Sequence, residues 1–399
     1  MSSERHLAIL GAGPTGLEAA LAAAEAGWSF TLYEAGDEVA ANMRDWGHVR
    51  LFSPWSLDVS PRMRSHQDRL GLSVPDDESC PTGADLRSRV FEPLASSAAL
   101  AGHLQLDSRV VAISRAGLLK HEAIGTPERG RELFRLLVRS GDGTGTVETA
   151  NAVFDCTGSY SQPNWLGDGG IPALGEEEAT AFIVRRVPNF EREVEAWRGL
   201  RVLLVGAGHS AQTAAEGLAG ETSTRVIWAL RSPSPGWRVD PEDALPERSR
   251  LIGAANELVA GSNSNFEIRP GVVVERFEID GEQVIVTLRG VDGQLEAVTV
   301  DRVLGLTGSV GDHAMYRQLQ VHECFATSGP MKLAAALLSS GGGDCLAQES
   351  HGVDTLRNPE PNFFILGAKS YGRNTSFLMR VGWQQVDEVF ELLAQADAA

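Results

Sequence analysis

The sequence predicts an α/β protein made of two nested Rossmann-like dinucleotide-binding domains, each with a β-meander insertion. Three observations carry the prediction. A βαβ unit with GxGxxG glycine spacing opens the chain at Leu7-Ala-Ile-Leu-Gly11-Ala-Gly13-Pro-Thr-Gly16. A second unit of the same kind begins at Arg201-Val-Leu-Leu-Val-Gly206-Ala-Gly208-His-Ser-Ala211. Each is followed by alternating strand signals and then by an apolar run closing in Thr-Gly, at Thr157-Gly158 and again at Thr307-Gly308. A nucleotide loop, a meander and a Thr-Gly turn recurring in one order mark a repeated unit rather than a chance motif.

In the first unit an apolar strand enters the loop. Gly11 permits the tight turn, Gly13 lets the backbone approach a pyrophosphate, and Gly16 lets helix and strand pack closely. The following helix places Leu17, Ala20, Leu21 and Ala24 on one face, and its N-terminus offers free N–H groups and a positive dipole end to an anion. A second strand, Phe30 to Tyr33, ends at Glu34, 23 residues after Gly11, where a carboxylate binds ribose hydroxyls.

Composition narrows the class. A chain of 399 residues holds two or three domains with large cores. Its 35 Lys and Arg against 53 Asp and Glu, a formal charge of −18, argue against nucleic acid and anionic membrane as partners. The first strand starts within seven residues of Met1 and the helix behind it carries Glu18 and Glu25, so a cytoplasmic protein without a secretory or transmembrane segment is expected. Cys80, Cys156, Cys324 and Cys345 form no CxxC, and no metal spacing links them to the nine histidines, so no metal is expected.

Taken in order, Ala35 to Pro61 reads as a long loop holding Asn42, Arg44, Trp46, His48, Arg50, Phe52, Pro54 and Trp55. That is either a wall around a flat cofactor or a well-packed surface loop. A helix is expected from Ala84 to Ala101, with Leu86, Val90, Phe91 and Leu94 buried and Thr82 or Asp85 as its cap. Strand signals recur at Leu104 to Leu106, Arg109 to Ile113, Phe134 to Val138 and Ala152 to Phe154, with a Gly-rich turn at Gly141 to Gly145.

The Gly, Pro and Asn content after Ser159 places a domain crossing there. The expected division is 1–165 and 309–399 for the first domain and 166–308 for the second. In the second unit the helix packs through Ala211, Ala214, Ala215 and Leu218. Its next strand, Val226 to Leu230, reaches Arg231 and Ser232 where the first unit has an acid. A carboxylate repels a ribose 2′-phosphate whereas a guanidinium pairs with it bidentately, so the second site favours NADPH and the first suits the adenosine half of FAD. The alternative for Arg231 is a solvated strand-end charge.

A helix at Pro246 to Val259 and strands at Val272 to Phe277, Val284 to Leu288 and Ala297 to Val300 follow. The tail returns to the first domain with a strand at Phe363 to Leu366, a polar loop at Gly367 to Asn374, and a helix at Thr375 to Gln395. Phe377, Val381, Val386, Val389, Phe390 and Leu393 form the buried side of that helix. Its N-terminus, if aimed at a flavin ring, would stabilise the reduced anion by about 0.3–1 kcal/mol.

With these motifs in place the whole chain resembles the two-dinucleotide-binding-domain flavoproteins, of glutathione-reductase-like architecture. The loop Trp46-Gly-His-Val-Arg-Leu-Phe-Ser-Pro-Trp55 and the tail Gly367-Ala-Lys-Ser-Tyr-Gly-Arg-Asn374 look like a branch near the flavin-containing and N-hydroxylating monooxygenases. The resemblance implies FAD held by Gly11, Gly13, Gly16, Glu34 and the Thr157–Gly158 turn, with Pro14, Thr15, Ala35, Trp46, Phe52, Val111, Cys156, Gly367 and Phe377 alongside. It implies NADPH held by Gly206, Gly208, Ser210 and Arg231, with His209, Ala211, Ser232, Thr307 and Gly308. Two departures stand out. No FxGxxxHxxx[FW] run, usual in flavin-containing and Baeyer–Villiger monooxygenases, lies between Ser159 and Leu200, and Thr15 stands where a bacillithiol-reductase-like variant carries cysteine.

Such a pair of coenzymes implies hydride transfer from C4 of the nicotinamide to N5 of the flavin. The leading expectation for the electrons is molecular oxygen, through a flavin C4a-hydroperoxide that oxygenates an amine or sulfur centre of a small-molecule substrate in a dry, enclosed site. Arg50, Ser53, Trp55, Lys369, Tyr371 and Arg373 are the candidate anchors and hydrogen-bond donors at that edge. Trp55 as a core ring and Lys369 as the partner of an acid are the structural alternatives. The rival chemistry is thiol or disulfide reduction through Cys156, or through Cys324 and Cys345 brought together by folding; a flavin redox sensor is a third. The oligomeric state is left open.

Overall fold

In the computed structural model the described residues are 5–220, 223–240, 243, 245–339 and 350–398. They divide into two units, Met1–Gln162 with Val310–Ala399, and Pro163–Ser309.

The first unit is built on the strand His6–Leu10, whose residues Leu7 to Leu10 are all buried. A continuous apolar run of this kind belongs in a parallel sheet covered on both faces. The sheet order is Phe363–Ile365, Ala152–Asp155, His6–Leu10, Ser29–Tyr33, Leu104–Gln105, and every pairing is parallel. Leu10 stands opposite both Tyr33 and Asp155, so the carboxyl ends of three strands lie level. Gly11, Glu34 and Cys156 therefore emerge side by side, at the edge where open α/β sheets bind ligands.

The alanine-rich helix Pro14–Glu25 packs through Leu17, Ala19, Ala20, Leu21 and Ala23, and the C-terminal helix Met379–Ala398 lies against it. The meander consists of Ser108–Arg115, Phe134–Ser140 and Gly145–Ala150, antiparallel throughout. Its last strand occupies part of the expected Gly-rich turn. Asp142 confines that turn by accepting from the Thr144 N–H and hydroxyl at 2.8 and 2.7 Å.

Several boundaries differ from expectation for local reasons. Thr82 and Asp85 cap their helix together, each side chain taking the other's backbone N–H. The helix runs through a π turn at Arg87–Phe91 and ends at Ala95, short of Ala101; Pro93 in its last turn has no N–H to continue the α pattern. The expected loop Ala35 to Pro61 contains short helices Ala41–Arg44 and Trp55–Asp58, and an unexpected helix, Pro61–Arg69, follows with Ser60 Oγ accepting from Met63 N at 2.9 Å. The C-terminal helix starts at Met379, not Thr375. Asn374 instead takes the N–H and hydroxyl of Ser376, so Phe377 precedes the helix.

The second unit repeats the plan. Its sheet runs Phe266–Pro270, Arg225–Leu230, Arg201–Val205, Arg302–Gly305, Ile183–Val184, again all parallel. The two edge strands were not expected, being short or broken by charge. The meander Val272–Asp280, Gln283–Gly290, Leu295–Val300 buries Val274, Phe277, Val284, Val286, Leu288, Val298 and Val300 together with Leu203 and Ile227 of the sheet. Among the described residues no helix is long and apolar enough to cross a membrane.

Candidate functional site

The first glycine loop is fixed by contacts only hydrogen atoms can make. Gly11 has φ +90° with the Cys156 carbonyl behind it, and a methyl at Gly16 would lie 1.8 Å from the Gly11 oxygen. In front of Gly13 there is open space, with no heavy atom within 4 Å of where a methyl would stand. Pro14 begins the helix and no side chain caps it, which leaves its first-turn N–H groups for an anion. Glu34 lies where the ribose acid was expected. Its Oε2 accepts from Ala12 N at 2.8 Å and its Oε1 from Gly36 N at 2.9 Å. Ala35 connects these two. Each oxygen spends one acceptor site on the backbone and keeps another for a hydroxyl. This fits an adenosine ribose.

The Thr157–Gly158 turn is held from below. Thr157 donates to Asp155 Oδ1 through its N–H at 3.2 Å and its hydroxyl at 2.7 Å. Lys369 Nζ donates to Asp155 Oδ2 at 2.6 Å, to Thr157 Oγ1 at 3.2 Å and to the Asp312 carbonyl at 2.6 Å. Both Lys369 and Asp155 are buried, and the lysine stem lies over Gly311, where a methyl would come within 2.6 Å of it. Lys369 is thus placed as the partner of an acid, with its ammonium on the turn.

Around this turn, Thr15 fills the space between Gly367 and Gly382, with a methyl on Gly367 only 2.5 Å from its hydroxyl. Cys156 is buried against Gly16, and burial pushes its thiol well above the usual range. Tyr371 is buried with its ring edge-on to Phe377 at 5.2 Å and its hydroxyl without a protein partner. The Trp46 ring rests on Gly83, 6.1 Å from the Tyr160 ring, and its Nε1–H is also buried without a partner. Two orphaned donors in the unit that carries the first glycine loop fit a bound group rich in acceptors.

The loop from Trp46 onward is more structural than expected. Trp55 is a core ring, 4% exposed, with Arg89 over its face at 5.1 Å, the structural one of the two readings its sequence position leaves open. Arg50 is exposed and its Nη1 donates to the Cys80 carbonyl at 2.5 Å, while Cys80 Sγ donates to the Phe52 carbonyl at 3.3 Å. Ser53 Oγ donates to Asp58 Oδ1 at 2.6 Å. Asp58 was missed by the sequence. It is buried, its Oδ2 has no protein partner, and burial raises its pKa to about 7. Arg373 is exposed at the tail loop, its N–H on the Thr327 carbonyl at 2.7 Å. Val111 occupies the bulge between Val110 and Ala112 in the meander.

In the second unit Gly206 has φ +136°, and a methyl there would lie 2.3 Å from the Leu306 carbonyl but 3.4 Å from Ala211 Cβ. Ala211, buried, stands at the third glycine position. Gly208 again faces open space, and the helix His209–Gly220 starts behind it with His209 and Ser210 exposed. Trp228 Nε1 donates to the Gly206 carbonyl and Trp237 Nε1 to the Ala207 carbonyl, each at 2.9 Å. Neither tryptophan was singled out in the sequence. Arg231 and Ser232 are exposed at the strand end, with Ser232 Oγ on the Ser234 carbonyl at 3.0 Å. Thr307 and Gly308 are stitched to Asn164: Thr307 Oγ1 donates to its carbonyl, its Nδ2 donates to Thr307 O, and its N–H to Gly308 O, at 3.0, 3.0 and 2.9 Å.

No protein-family model matches the chain. No curated protein matches it. Solved structures do. Bacillithiol disulfide reductase from Bacillus cereus is 18% identical over 98% of this chain and 99% of that one, with a TM-score of 0.71. The ornithine N-hydroxylase of Kutzneria sp. 744, solved with reduced FAD, NADP+ and L-ornithine, is 14% identical over 98% and 99%, with a TM-score of 0.65. A flavin-containing monooxygenase from Stenotrophomonas maltophilia is 16% identical over 99% and 100%, with a TM-score of 0.57. Over nearly its whole length, then, the chain has the fold on which a disulfide reductase, an N-hydroxylase and a flavin monooxygenase are all built.

Proposed function

We propose that this protein is an FAD-dependent, NADPH-using oxidoreductase that delivers electrons to molecular oxygen and oxygenates an amine or sulfur centre of a small molecule. Bound FAD supplies a two-electron carrier that accepts hydride from NADPH and reacts with oxygen. The chain supplies the rest. Gly13 and the N-terminus of Pro14–Glu25 receive the FAD pyrophosphate, Glu34 takes its ribose, and Thr157–Gly158, held by Lys369 and Asp155, borders it. Gly206, Gly208 and the start of His209–Gly220 receive the NADPH pyrophosphate, while Arg231 with Ser232 pairs with its 2′-phosphate. Tyr371 and Trp46 supply donors to groups bound beside them.

The observation that carries oxygen over dithiol exchange is Cys156. A thiol that attacks a disulfide must be a partly exposed thiolate, whereas Cys156 is buried and its pKa is pushed up. One observation favours the other reading. Cys324 sits in a hairpin touching the tail loop at Gly372 and Arg373, and Thr327 draws its thiol below the usual range. Its suggested partner Cys345 lies outside the described residues.

The test reads NADPH oxidation with amine and sulfide panels in air, and anaerobically with a low-molecular-weight disulfide. The expected result is oxygen-dependent turnover with oxygenated product, unchanged in Cys156→Ser. Rapid anaerobic disulfide turnover lost in Cys324→Ser would overturn it in favour of the reductase.

A further inference from the structure

In the second glycine loop two consecutive carbonyls are held by indole N–H groups. Trp228 takes Gly206 O and Trp237 takes Ala207 O, each at 2.9 Å, and Gln212 Nε2 lies 3.5 Å from the latter oxygen. The two rings stack at 5.6 Å and 25°. Trp228 is fully buried in its strand, so it is the fixed member. Trp237 stands in the loop after the strand, and Asn256 clamps its backbone from the helix Pro246–Val259. Trp237 N donates to Asn256 Oδ1 at 2.9 Å and Asn256 Nδ2 to Trp237 O at 2.8 Å.

In a trans peptide the carbonyl and the following N–H point in opposite directions. Pinning Gly206 O turns the Ala207 N–H away from the indoles, and pinning Ala207 O does the same for Gly208 N–H. Successive amides so directed form a concavity for an anion, and Gly208 faces open space. The first loop achieves the matching restraint with backbone alone, Ala40 N donating to Ala12 O at 3.0 Å.

We infer that Trp237, backed by Trp228, is a positioning residue that keeps the second loop's amides aimed at the coenzyme pyrophosphate. The inference rests on the nicotinamide-coenzyme reading of that loop. It assigns Trp237 to a part common to NADPH and NADH, in contrast to Arg231 at the 2′-phosphate.

The experiment titrates NADP+ and NAD+ calorimetrically into the FAD-loaded wild type, Trp237→Phe and Arg231→Ala. Trp237→Phe keeps an aromatic ring and removes the donor. It is expected to weaken both nucleotides by the same factor, about three- to tenfold for one lost hydrogen bond. The rate of flavin reduction at saturating NADPH should stay as in the wild type. Amide hydrogen exchange at Ala207 and Gly208 in the nucleotide-free variant should rise. Arg231→Ala should weaken NADP+ alone. Wild-type affinity and wild-type exchange in Trp237→Phe would overturn the inference, as would a loss confined to NADP+. A wild type that binds neither nucleotide would instead overturn the coenzyme reading beneath it.

Discussion

The two glycine loops share a sequence pattern and are closed by different means. In the first, a methyl at Gly16 would stand 1.8 Å from Gly11 O, whereas in the second Ala211 already carries a methyl at the third glycine position. In the first, Glu34 takes the Ala12 N–H and backbone takes the Ala12 carbonyl. In the second, no acid follows the strand and two tryptophans take the carbonyls. The first loop has no room for a methyl at its third glycine, and its restraints combine the Glu34 carboxylate with main chain. The second is held by side chains. That difference suits a permanent tenant in one case and an exchanging one in the other.

The sharpest way to break the comparison is Gly16→Ala. The clash is with backbone rather than with a movable side chain, so helix and strand must separate. Overpacking of this kind costs about 1–3 kcal/mol or more, and the displaced loop should no longer hold FAD. The expected outcome is protein that purifies without flavin colour and melts well below the wild type. Retained colour and an unchanged melting temperature would mean that the first loop has the slack of the second.

The Thr-Gly turns show the same asymmetry. Thr157 rests on a buried ion pair between Asp155 and Lys369, whereas Thr307 is stitched to the neutral side-chain amide and backbone carbonyl of Asn164. Lys369→Met should cost about 3–5 kcal/mol in denaturant unfolding, because it strands the Asp155 carboxylate in the interior. Asn164→Ala should cost only about 0.5–1.5 kcal/mol, the loss of the neutral hydrogen bond that its side chain donates to Thr307 O. A double variant, Asp155→Asn with Lys369→Met, should recover part of the loss. Equal costs at the two turns would refute the distinction.

A third asymmetry is the buried, half-partnered Asp58 of the first unit. Its folded-state pKa of about 7 lies above the ordinary value of 3.8, so the folded chain keeps a proton that the unfolded chain has lost. Between about pH 4 and 7 stability should therefore fall as pH rises, by at most about 4 kcal/mol. Above pH 7 both states are ionised and this contribution stops changing. Asp58→Asn should flatten that slope in urea melts collected at several pH values. A slope that survives the substitution would assign it elsewhere.

What the sequence disclosed follows from where sterics restrict residue type. Gly11, Gly16 and Gly206 are legible because no other residue fits against the carbonyls behind them, and helix Pro246–Val259 because its apolar period and its proline fix both ends. The Lys369–Asp155 pair joins residues 214 apart in sequence, so no local pattern announces it. Trp228 and Trp237 look in sequence like a strand ring and a loop ring; only the fold brings their N–H groups to adjacent carbonyls. Asp58 gives no signal in Leu57-Asp58-Val59, since its meaning lies in being buried. The edge strands Ile183–Val184 and Phe266–Pro270 are recruited by neighbours rather than by their own propensity.

The smallest effect separates steric need from habit. Ala211→Gly would restore the GxGxxG pattern in the second loop, and a rule based on motif alone expects tighter coenzyme binding. The structure says otherwise. Ala211 is buried near the start of His209–Gly220 and has the room it needs. Removing its methyl brings no new approach to the phosphate, because the loop carbonyls are already tied to the two indoles. Glycine then only adds conformational freedom to the unfolded chain and leaves a small void, costing about 0.5–1 kcal/mol of stability. Calorimetry should show unchanged NADP+ affinity and thermal melting a drop of a few degrees. Tighter binding in Ala211→Gly would show that the methyl, rather than the tryptophans, limits how closely the second loop meets its ligand.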